Sequence, residues 1–119
     1  MPIYVTLIKY TEQGLKTFEN LPARIDDTRK YGEAQGAKLL AFYLTMGRYD
    51  AVVVSEAPDD ETVAKLALAA GVRGNVTTET LRAFTEDEAR KIAAELPAHS
   101  VRARLRKEVT PKAGARRSR

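Results

Sequence analysis

Gly47-Arg48-Tyr49-Asp50 stands between two stretches with the composition of β-strands, and this corner constrains the chain more than any other segment. Upstream lies Lys38-Leu39-Leu40-Ala41-Phe42-Tyr43-Leu44-Thr45; downstream lies Ala51-Val52-Val53-Val54-Ser55-Glu56. Two apolar runs around a short turn with a glycine predict a hairpin, strands 38–45 and 50–57. Pro58-Asp59-Asp60-Glu61 follows, placing carboxylates on the positive end of the next helix.

The remaining elements read outward from this hairpin. Pro2 to Lys9 alternates, with Ile3, Val5 and Leu7 on one side and Tyr4, Thr6 and Ile8 on the other. Thr11 can cap a short helix reaching about Leu21. Pro22 cannot sit inside that helix, so a second segment starts there and ends near Gly36. After the hairpin, Val63, Leu66, Ala67 and Ala70 form a narrow buried stripe on a helix ended by Gly71. The β-branched run 75–84 is a fourth strand. Thr85-Glu86-Asp87-Glu88 is a capping box for a last helix with Ala89, Ile92, Ala93 and Leu96 on one face. This order, β-α-β-β-α-β plus a terminal helix, predicts an α+β, ferredoxin-like fold: a four-stranded antiparallel sheet with helices on one face.

Two helices cover only one face of such a sheet. The aliphatic set Ile3, Val5 and Leu7, with Leu40, Phe42 and Leu44, is assigned to the helix-covered core. The mixed set Tyr4, Thr6, Ile8, with Leu39, Ala41, Tyr43 and Thr45, is assigned to the open face. Half apolar and half hydroxyl-bearing, the second set suits a face that packs on a partner and leaves a polar pocket.

The matching pieces Tyr10-Thr11-Glu12-Gln13-Gly14, residues 42–50, Glu56-Ala57-Pro58-Asp59-Asp60 and residues 74–84 resemble the GYD family of small bacterial αβ proteins. The resemblance covers approximately residues 3–84 and implies a dimeric αβ-barrel-like assembly, hence a homodimer or larger homo-oligomer. It carries no catalytic assignment. Two kinds of function follow: a small-molecule-binding or regulatory module with a pocket at the uncovered sheet face, or a cofactor-independent enzyme such as a small monooxygenase or isomerase.

The candidate ligand-binding residues are Thr6, Tyr43, Tyr49, Asp50 and Glu79. Tyr49 and Asp50 form the signature corner, where Asp50 could line a pocket mouth or bond nearby amides; the structural role is the favoured one. Glu79 lies among threonines on the fourth strand, on a face with Thr77 and Leu81, and is either exposed at an edge or used in a pocket. Tyr4 is a further pocket candidate, and Arg24 could bind an anion from the first helical layer.

Composition removes other classes. The chain has no cysteine, which excludes disulfides, thiolate metal sites and a cysteine nucleophile. A lone His99 makes no metal site, and no phosphate loop, dinucleotide fingerprint or Ser-His-Asp order is present, so neither metal nor cofactor is expected. The start, Met-Pro-Ile-Tyr-Val, is not a signal peptide, and no apolar run approaches the roughly 18 residues of a membrane span; a cytoplasmic protein is expected. The net charge of +4 is uneven: residues 98–119 hold eight Arg or Lys against Glu108, a balance of +7 that leaves −3 for residues 1–97. The chain thus divides into a domain, 1–97, and a basic tail, 98–119, expected to be disordered. Such a tail allows weak, non-specific anion or nucleic-acid contact and lacks the aromatics for stacking on bases.

Overall fold

The computed structural model describes residues 1–97, in two units, Met1–Phe84 and Thr85 onward. The tail and His99 lie outside the described residues. In the first unit, β1 (Ile3–Tyr10) leads into a short α1 (Glu12–Lys16), a single 3-10 turn (Phe18–Asn20) and α2 (Leu21–Ala34). The hairpin strands are β2 (Lys38–Leu44) and β3 (Ala51–Glu56), followed by α3 (Asp60–Val72) and β4 (Val76–Ala83). The expected order is therefore the observed one. Pro22 falls in the first turn of α2, where its missing N–H costs nothing.

The helix starts are chemically specified. Thr11 caps α1, its hydroxyl accepting from the Gly14 N–H at 3.1 Å. Asp59 caps α3 by accepting from the Thr62 amide and hydroxyl at 2.9 and 2.7 Å. Those bonds hold the Asp59 carboxyl below its ordinary pKa, the backbone one first. In the second unit, α4 (Glu86–Ala94) begins with the capping box read from sequence, Thr85 and Glu88 exchanging bonds with each other's backbone.

All strand pairs are antiparallel in the order β2-β3-β1-β4, which puts β4 at an edge. Val5 sits between Val54 and Leu81; Thr6 sits between Val53 and Thr80. A register shift between Leu39 and Ala41 inserts an extra residue into β2. Directly opposed residues share a face, so these registers sort the paired strand residues to one side or the other.

That sorting corrects the expected faces. Tyr4, Thr6 and Ile8 turn toward the helices. Thr6 and Ile8 line a cavity with Ile25 of α2 and Leu66 of α3, and Tyr4 is buried with Ala37, Ala57 and Val63. Tyr4 suits that place because its hydroxyl donates to the Asp60 carboxylate at the start of α3, so the buried ring keeps a polar partner. Ile3, Val5 and Leu7 consequently line the open face. The bulge splits the second strand's sets as well: Leu39 and Phe42 line the helix side, while Ala41 and Tyr43 oppose Val54 and Val52 on the open side. The more aliphatic face of the sheet is thus the one no helix of this unit covers.

Candidate functional site

The hairpin corner is closed by its own polar groups. Thr45 donates twice, its amide to the Asp50 carbonyl at 2.8 Å and its hydroxyl to the Tyr49 carbonyl at 2.7 Å. Gly47 carries a φ of +102°, a conformation that side chains resist, and no atom lies within 4 Å of where its Cβ would be. A Gly47→Val substitution therefore acts through the backbone alone. It is expected to cost about 1 kcal/mol or more in thermal unfolding.

Asp50 ties this corner to β1. Its amide donates to the Ile8 carbonyl at 2.7 Å, and its carboxylate accepts from the Tyr10 amide at 2.8 Å. A side chain takes over as acceptor at the last residue of β1. Both bonds join the hairpin corner to the end of β1.

Tyr49 reaches in the other direction. Its hydroxyl donates to Glu79 on β4 at 2.6 Å. Because β1 lies between β3 and β4, this bond straps the end of the sheet, and Glu79 opposes Leu7 on the open face. The bond to Glu79 raises the Tyr49 pKa above its ordinary 10.0, with burial and the carboxylate charge adding to it. A raised folded-state pKa means the protonated phenol is the stabilising form. That contribution is complete below pH 10 and is lost as pH rises through the folded-state value. The melting temperature should fall above pH 10, and Tyr49→Phe should lessen the fall; equal alkaline slopes in both proteins would contradict it.

Three of the five candidate residues, Tyr49, Asp50 and Glu79, are brought together at one end of the sheet. Tyr43 shares the open face, where it is 60% exposed. Thr6 is on the other side, under the helices. Arg24 donates to the Thr17 carbonyl at 2.9 Å, to the Thr17 hydroxyl and to the Gly14 carbonyl at 3.4 Å, closing the end of α1. Tyr10 was not singled out from the sequence, although its alternation with Tyr4, Thr6 and Ile8 marks it. Its ring meets Phe18 edge-on at 5.4 Å.

The open face has the composition of an interface. Half-buried Ile3, Val5, Leu7, Val52 and Val54 form its centre. Opposed Lys38 and Glu56 mark one end and the Tyr49–Glu79 strap the other. An apolar centre within a polar rim is the usual anatomy of a protein contact. Among the described residues, no group of three or more His, Cys, Asp or Glu side chains could hold a metal ion, and no helix is long and apolar enough to cross a membrane.

The glutamine synthetase and cystathionine beta-lyase binding protein of Thermus thermophilus is 38% identical over 85 residues, spanning 71% of this chain and 90% of its own length. The GYD domain profile matches residues 4–93, spanning the corner, its Glu79 strap and most of α4, and the chain belongs to the GYD domain family.

Proposed function

We propose that this chain is a homo-oligomeric, protein-binding regulatory module, cytoplasmic in setting, in which one copy covers the open sheet face of another. The aliphatic open face carries this reading. Within Met1–Phe84, five half-buried aliphatic side chains on β1 and β3, continued by Leu81 on β4, form an apolar face that gains by being covered. Sheet-to-sheet pairing of two such faces buries them at the spacing of a β-sandwich. The Tyr49–Glu79 pair then lies at the margin of the joint, where it offers a phenol and a carboxylate to a small polar ligand.

The regulatory half of the reading is supported by the relative named for binding two metabolic enzymes. Its test is direct binding of the purified full-length protein to the glutamine synthetase and the cystathionine beta-lyase of its own source. Saturable binding to at least one enzyme is expected, and to neither of two unrelated enzymes of similar charge. Absence of saturation with both, from a protein shown to be folded, would overturn it while leaving the assembly reading to its own measurement.

A further inference from the structure

A cavity of about 180 Å³ lies between the sheet and helices α2 and α3, and its charges are one-sided. Arg24, Arg29 and Arg73 line it, with Lys38 bordering it at the start of β2, where it opposes Glu56, and among the described residues no Asp, Glu or His lines it. This occurs within residues 1–97, which carry a net negative charge. Arg29 lies 3.9 Å from Asp26. Arg24, Lys38 and Arg73 make no ion pair among the described residues.

Arg24 is half-buried and donates to neutral oxygens, which hold its guanidinium in place without an ion-pair partner among the described residues. The backbone of Arg73, an exposed residue that also lines the cavity, lies at the same end: the Gln13 side-chain amide donates to the Arg73 carbonyl at 3.0 Å, and Arg24 reaches the carbonyl of the adjacent Gly14. The half-buried Tyr10 phenol also lines the cavity, and its hydroxyl makes no hydrogen bond among the described residues. Elsewhere the walls are mostly apolar, with Ile25, Phe42, Val53, Leu66 and Ala67, interrupted by hydroxyl-bearing residues such as Thr6, Ser55 and Thr80.

We infer that this cavity binds a small monocarboxylate, its apolar body between the helices and the sheet and its carboxylate at the Arg24–Arg73 end. A half-buried guanidinium without an ion-pair partner favours an anion, and a carboxylate takes its N–H groups in geometry that a neutral head cannot match. The apolar walls favour a carbon body over a bare ion. The volume is below the roughly 300–1,000 Å³ typical of drug-sized ligands, which indicates a short chain or a single ring. This inference is independent of how copies assemble.

The test uses the purified full-length protein with hexanoate and phenylacetate, each against its neutral alcohol, hexanol and phenethyl alcohol, and against inorganic phosphate. Calorimetry should give dissociation constants at least tenfold lower for each acid than for its alcohol, with phosphate weaker than either acid. The melting temperature should rise with acid concentration. Arg73→Gln leaves intact the bonds that Arg24 makes to Thr17 and Gly14, and it should abolish the preference of acid over alcohol. Ala67→Phe should fill the cavity and abolish binding without lowering the melting temperature. Equal binding of acid and alcohol, phosphate binding as well as hexanoate, undiminished binding in Ala67→Phe, or no binding of either acid would each overturn the inference.

Discussion

Val54→Glu is expected to leave the subunit folded and to convert the assembly to monomers. Val54 opposes Val5 on one side and Ala41 on the other, at the middle of the open face. In an isolated subunit the new carboxylate faces water and costs little. Between two sheets it is buried without a partner, at about 3–5 kcal/mol. In a two-fold pair both copies carry the charge against the same patch, so the loss is counted twice. At 1.4 kcal/mol per decade, a single copy of the loss already weakens association by about a hundredfold or more. Sedimentation reads this directly, and circular dichroism checks that the fold persists. Tyr43→Glu, at the exposed margin on edge strand β2, should weaken association less. If Val54→Glu associates as the parent does, the open face is not the contact.

Gly14→Ala should be the most destabilising small substitution in the domain. Gly14 is buried in the first helix, and an added Cβ would lie 2.1 Å from the Asn75 carbonyl oxygen and 3.0 Å from its carbon. Both are backbone atoms that no side-chain rotation can move. The same Asn75 oxygen accepts from the Thr11 amide at 3.0 Å, and the Thr11 hydroxyl donates to the Gly74 carbonyl at 2.6 Å. Relieving the clash therefore breaks the joint between α1 and the turn before β4. Overpacking of this kind costs about 3 kcal/mol. In a domain of this size that is a fall of roughly 12–24 °C in melting temperature. Gly71→Ala is the control: it lies in α3 with nothing within 4 Å of its Cβ position, and should be neutral or slightly stabilising. Similar melting of both variants would show that the close approach of α1 to Asn75 is not a constraint.

The order of the elements was legible because local signals agree with the fold, although the helix expected to reach about Leu21 ends at Lys16 and is followed by a separate 3-10 turn. Pro22, the Asp59 cap, the Thr85 capping box and the hairpin glycine each fix a boundary through backbone chemistry. The side to which each strand face turns was not legible. Both faces of β1 carry apolar residues, so alternation separates two sets without saying which meets the helices. The more hydrophobic set was assigned to the interior, whereas the registers and the cavity lining put Tyr4, Thr6 and Ile8 there. Tyr4 was the available counter-signal, since its hydroxyl finds an acceptor at a helix start. The Leu39–Ala41 bulge leaves no mark in composition, and one extra residue exchanges the faces of everything before it. The corner was read better than the rest of the site. Asp50 and Tyr49 are adjacent in sequence, but Glu79 joins Tyr49 only through the β3-β1-β4 order, and Thr6 leaves the group for the same reason its strand was turned.

The claim that the open face is an assembly surface is tested most directly by sedimentation of the full-length protein across micromolar concentrations. The predicted result is a species of at least twice 13.2 kDa that Val54→Glu reduces to the single-subunit mass. A parent protein that sediments at 13.2 kDa throughout, with the methyl groups of Val5, Val54 and Leu81 accessible to solvent, would contradict it.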